Sequence, residues 1–199
     1  MDAMETQELK ERLALIEQMM MAGRRSTENW GWTFVLWGVA YYVAIGWSAL
    51  GAASYAWPVT MVATCVLMGV FLARRDRKPN TTMNRAIIGV WIALGVTMMA
   101  LMPALAISGR FADAHGSIAV VCALLGMANG ASGIVLRWRL QIASACVWWV
   151  SSIVACFGSQ MQALVVFMVA IFFCQIGFGI ACMMAGAREA RGMKDGAHA

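Results

Sequence analysis

NWGWTFVLWGVAYYVAIGWSALGAASYAWPVTMVATCVLMGVFLA, the stretch from Asn29 to Ala73, runs 45 residues without one Asp, Glu, Lys, Arg or His. A crossing of the hydrocarbon core takes about 20 mostly apolar residues, so this block is long enough for two crossings and a turn. A second charge-free block, from Leu140 to Ala187, holds 48 residues and divides the same way. Between them lies a third apolar region, interrupted only by Arg110, Asp113 and His115. The chain of 199 residues is 61% apolar and 13% charged, about half the charge of an ordinary soluble domain. Its solvent is lipid.

The expected fold is an all-α integral membrane protein, a six-transmembrane-helix bundle of three hairpins. Its spans are placed at 30–50, 58–73, 86–107, 117–136, 140–157 and 161–187. Turns are expected at Gly51 to Trp57 and at Gly158-Ser159-Gln160, with Pro58 opening the second helix, where its missing donor costs nothing. Residues 1–29 form a cytoplasmic arm and 188–199 a flexible cytoplasmic tail.

Cations fix the expected orientation, because Lys and Arg near span ends are retained on the cytoplasmic side. Lys10, Arg12, Arg24 and Arg25 precede the first span, and Arg74, Arg75, Arg77, Lys78 and Arg85 separate the second from the third. Arg137 and Arg139 follow the fourth span, and Arg188, Arg191 and Lys194 follow the sixth. Of the 15 cations only Arg110 lies on the other side. Both termini are therefore expected in the cytoplasm, in a setting that suits a bacterial inner membrane. Aromatic residues mark the same boundaries, with Trp30, Trp32 and Trp138 at inner ends and Trp47, Tyr55 and Trp57 at outer ends.

The arm reads as an amphipathic helix. Leu9, Leu13, Ile16 and Met20 recur at spacings of 4, 3 and 4, Glu8 and Arg12 pair at i,i+4 elsewhere on the surface, and Gly23 stands where a C-cap is expected. Six acids against four cations leave residues 1–29 with a net charge of −2. That disfavours an anionic lipid surface and points the narrow apolar stripe toward another protein.

Within the spans, small residues mark close helix approaches. Ala119, Cys122, Gly126, Asn129 and Gly133 share one stripe of the fourth helix, where Gly126 and Gly130 also form a Gly-x-x-x-Gly. Gln175, Gly179, Cys182 and Gly186 form a matching stripe in the sixth. Asn129 and Gln175, with Ser132, are the candidates for a polar clamp between helices or a solute site. Gln141, Ser144, Ser151 and Ser152 give the fifth helix a polar side suited to a buried contact.

No Asp, Glu, Lys, Arg or His falls inside any span, which argues against a carboxylate-driven proton pump and a bis-histidine haem. The six cysteines all lie in spans and form no Cys-x-x-Cys pair, so neither a disulfide framework nor a zinc site is expected. Gly130-Ala131-Ser132-Gly133 resembles the Gly-x-Ser-Gly nucleophile motif of rhomboid intramembrane proteases, which also have six core helices and carry the serine on the fourth. That resemblance implies a histidine on the sixth helix to activate the serine, and here there is none; Ser132 also lies near the opposite end of its helix from the family's serine.

The expectation is a non-enzymatic membrane protein without cofactor or metal, embedded in the lipid bilayer. It acts by association with itself or with a membrane or cytoplasmic protein, through the arm and the small-residue faces. A net charge of +5 reports orientation and not a nucleic-acid partner. The alternative is a transporter or channel for a neutral or apolar solute, and an inactive rhomboid-like protein is the minor one.

Overall fold

The computed structural model describes residues 3–74, 82–108 and 114–196, and these are helical almost throughout. Helix α1 (Ala3–Asn29) is followed by α2 (Gly31–Trp47), a π-helical turn (Ser48–Ala52) and α3 (Ala53–Ala73). Then come α4 (Thr82–Ile107), α5 (Ala114–Val135) and α6 (Arg139–Phe157). The last span joins α7 (Gln160–Ile171), a second π-helical segment (Phe172–Gly177) and α8 (Phe178–Gly196). Six helical stretches are long and apolar enough to cross a membrane: Gly31–Gly51, Tyr55–Ala73, Thr82–Leu105, His115–Val135, Arg139–Phe157 and Gln160–Arg188. The protein is an all-α, multi-pass membrane bundle. Its helix ends fall into two sets, a basic end that carries Arg74, Arg85, Arg137, Arg139 and Arg188, and an opposite end that is neutral among the described residues, with no Lys, Arg, Asp or Glu.

Several boundaries differ from expectation. The first turn is tighter, because Gly51 alone takes a left-handed conformation (φ 92°, ψ 3°) and α3 restarts at Ala53. Pro58 therefore lies inside α3, where it has no N–H for the carbonyl four residues back. Helix α1 continues past Gly23 to Asn29, and the break before the first span comes at Trp30, whose ψ of 5° departs from helix. Helix α4 begins at Thr82, ahead of the expected 86, and ends at Ile107 as expected. At the other terminus α8 continues to Gly196, so residues 188–196, expected as tail, are helical.

Turns at the remaining junctions follow local chemistry. Ser159 caps α7 in a full capping box: its hydroxyl accepts from Gln162 N–H, and Gln162 Oε1 accepts from Ser159 N–H at 2.7 Å. The α5–α6 turn is a Schellman closure, with Trp138 N–H donating to Gly133 O at 2.9 Å and Arg137 N–H to Ile134 O at 3.2 Å. That motif needs a left-handed residue, and Arg137 takes it at φ 48°.

The core has two main centres. Near the basic end, rings run in a chain from Trp91 to Phe34 (5.2 Å), to Phe178 (5.0 Å) and to Trp138 (5.2 Å). Trp138, expected at headgroup level, is instead buried in this cluster with Leu136 and Cys182. Deeper, Trp148 is fully buried among Cys122, Leu125, Ala128, Phe167, Ile171 and Cys174, with Tyr41 against them. Lipid-embedded helices gain little from apolar burial and associate through close packing instead. Here glycines supply it: a methyl on Gly179 would stand 2.6 Å from Gly31 O, and one on Gly38 would stand 2.7 Å from Ile176 Cγ1. Helices α2 and α8 thus cross almost backbone to backbone.

Candidate functional site

The polar groups inside the bundle concentrate where α5 packs on α6. Register is set by the short turn: Gly133 faces Ile142 N, with a methyl at 2.9 Å, and Gly130 faces the edge of Trp149, with a methyl 2.9 Å from Cη2. Gly126 sits under the same indole, so the Gly-x-x-x-Gly groove is occupied by Trp149 of the neighbouring helix. Farther along, Ser152 hydroxyl donates to Ala119 O at 2.8 Å and ties the neutral halves together. The stripe Ala119, Cys122, Gly126, Asn129 and Gly133 is buried as a whole.

Asn129, Ser132 and Gln141 have no solvent exposure, and Ser144, Ser151 and Gln175 only 6%, 4% and 2%. A hydroxyl in a lipid-embedded helix is normally satisfied by the carbonyl one turn back. Thr60, Thr64, Thr97 and Ser151 do this, at 2.6 to 2.8 Å from Ala56 O, Thr60 O, Ala93 O and Val147 O. Ser132 and Ser144 do not, and their hydroxyls have no partner. Both amide atoms of Gln141, Oδ1 of Asn129 and Nε1 of Trp148 are likewise buried without one. Each such atom costs roughly 1–3 kcal/mol if it stays unsatisfied. Six of them on two packed helices form a seam of unused hydrogen-bonding capacity, with donors and acceptors both represented.

The π-helical segment of the last span borders this seam. Cys174 Sγ approaches Ser144 O at 3.8 Å, and Gln175 is the next residue. In the segment's last turn Phe178 N–H is shared between Gln175 O and Phe173 O, the wider closure that defines a π-bulge, a feature frequent at functional sites. Tyr42 hydroxyl braces the span just before the bulge, donating to Met168 O at 2.8 Å.

Asn129 Nδ2 donates to Leu125 O on its own helix at 2.9 Å, and its Oδ1 makes no bond to Gln175. Ser132 is sealed in the α5–α6 contact, and no histidine occurs between Gln160 and Arg188 to serve as its base. Gly179 is committed to Gly31 within the chain. Gly31 and Gly38 escaped the sequence reading, although their seven-residue spacing marks one helix face. Trp148 is fully buried, and its unpartnered indole N–H emerges only from the fold.

Two grooves open on the outside of the bundle. One, of about 590 Å³, lies between α6 and α7 along Ile153, Phe157, Met161 and Val165; the other, of about 330 Å³, runs along Tyr42, Met168 and Phe172. Neither is lined by the seam. On α1 the side chains of Leu9, Leu13 and Ile16 are 56%, 54% and 50% exposed, whereas Met20 is half-buried. Helix α1 packs against α8 and α4, and Arg12 pairs with Glu8 along its exposed surface.

These features define a multi-pass integral membrane protein with a further helix, α1, before its first candidate span. No protein-family model, no curated protein and no solved structure matches the chain.

Proposed function

We propose that this is a non-enzymatic membrane protein that works by association through α1, with both termini in the cytoplasm of a bacterium. The observation that carries the reading is the exposed row Leu9, Leu13 and Ile16, flanked on the same helix by the exposed charges Glu8, Lys10, Arg12 and Glu17. The small-residue stripes do not compete for this role, because Trp149 covers Gly126 and Gly130 and Gly31 covers Gly179. Ser132, buried and without a hydrogen-bond partner, supports the non-enzymatic part. The orientation rests on the cations of the basic end.

The test is the mass of the detergent-solubilised particle with and without residues 1–17, a cut that stops short of the half-buried Met19 and Met20. A particle larger than one 21.6 kDa chain that shrinks on truncation supports the proposal. An unchanged mass overturns it.

The seam favours a second reading, passage or binding of a small neutral solute with several hydrogen-bonding groups. Its unpartnered amide, hydroxyl and indole atoms are the support, and the lack of charge along it suits a neutral species over an ion. Proteoliposomes challenged with glycerol or urea report this directly. Equal swelling for wild type and for Gln141→Leu would remove it.

A further inference from the structure

We infer that the occupant of the arm's apolar row is the same row of a second copy, paired in parallel and in register as a short coiled coil. The inference rests on the association reading and names its partner.

Spacings of 4, 3 and 4 place Leu9 and Ile16 at d and Leu13 and Met20 at a of a heptad. The flanking positions then decide what the row can face. Lys10 and Glu17 fall at e and Arg12 at g, and all three are exposed. In a parallel pair a g residue meets the e residue five places later on its neighbour. Arg12 therefore meets Glu17 of the second copy, and the sequence likewise sets Glu5 five places before Lys10. Both pairs are attractive, and each occurs twice in a two-stranded coil. An antiparallel pair would bring e to e and g to g, setting Arg12 near Arg12 or Glu5.

The membrane imposes the same choice. Helix α1 ends at Asn29 and the first span begins at Gly31, so copies inserted alike project their arms in the same direction. The seam is short, and so short a helix pairs weakly when free in water. Anchoring each arm beside its neighbour raises the effective concentration and compensates. Leu at a with Ile at d admits three or four strands as well as two. The g-to-e pairing is the same in each.

Leu13→Cys in the full-length protein, oxidised in membranes, is expected to give a disulfide-linked dimer, because the native cysteines all lie within the spans. Differently tagged Leu9→Cys and Ile16→Cys chains, co-expressed, are expected not to link, since about 10 Å of helix separates their positions in a parallel coil. With Leu13→Cys present in both, an Arg12→Glu chain and a Glu17→Lys chain each repel their own kind and attract the other. The mixed dimer should exceed either like dimer about fivefold. A Leu9–Ile16 product as abundant as the Leu13 product would overturn the parallel register, and a mixed dimer no more than about twice either like dimer, the ratio random pairing gives, would overturn the charge pairing. If Leu13→Cys never self-links but truncation of residues 1–17 still shrinks the particle, self-pairing falls and association stands; if neither responds, both fall.

Discussion

Gly51 and Arg137 hold positive φ at opposite ends of the bundle, and chemistry treats them differently. At Gly51 a methyl would meet nothing within 4 Å, so the cost of Gly51→Ala is conformational alone, about 1–2 kcal/mol. Arg137 already bears that cost at φ 48°. Arg137→Gly should therefore stabilise the bundle by about 1 kcal/mol, read as a raised melting temperature in detergent. A lowered one would mean that the guanidinium contributes more than the strain it brings. Glycines in contacts obey another rule, in which the neighbour decides. Gly179→Ala drives a methyl into Gly31 O at 2.6 Å and toward Val35 N at 3.0 Å, backbone atoms that cannot yield. A loss of about 2–4 kcal/mol is expected. Gly126→Ala meets only the indole of Trp149, 41% exposed, which can swing toward lipid. That substitution should cost about 1 kcal/mol, and thermal melts of the two variants side by side measure the difference.

Elements were legible in the sequence to the extent that charge marks their ends. Ionisable side chains are excluded from hydrocarbon, so the six spans could be placed within a few residues from where Lys and Arg stop. Pro58 misled because proline is tolerated at a first helical position, yet the chain had already turned at Gly51. The polar side of α6 was readable from Gln141, Ser144 and Ser151, but whether its atoms find partners depends on a register set by Arg137 in an unexpected left-handed turn. The π-helical segment left no mark, because Gln175 is its one polar residue and nothing in Phe172–Gly177 distinguishes a wider helical turn from an ordinary one. A π-bulge behaves as one residue inserted in an α-helix. Deleting the exposed Gly177 should thus close the helix with Gly179 still facing Gly31, and the protein should fold with stability changed by about 1 kcal/mol. Deleting Val169, outside the bulge, turns everything after it by about 100° and should prevent folding. Equal behaviour of the two deletions in detergent gel filtration would contradict this account.

At the scale of the molecule, orientation is the property on which the functional reading depends. Single cysteines placed at Ser159 and at Arg74, in a background without native thiols, are expected to label from the periplasmic and cytoplasmic sides respectively with a membrane-impermeant maleimide. The reverse pattern would put the arm in the other compartment and detach it from any cytoplasmic partner. The two ends also differ in substance. Of the described residues at the neutral end, Gly51 closes one hairpin and Gly158-Ser159 another, each inside a few residues, while at the basic end α1 precedes the first span, packed on α8 and α4, and α8 runs on to Gly196. Two hairpins closed that tightly leave little at the neutral surface for an antibody, a protease or a receptor to hold. Among the described residues, the surface a partner in water can hold lies mostly at the basic end, and a reporter or affinity tag fused at either terminus would stand in the path of that approach.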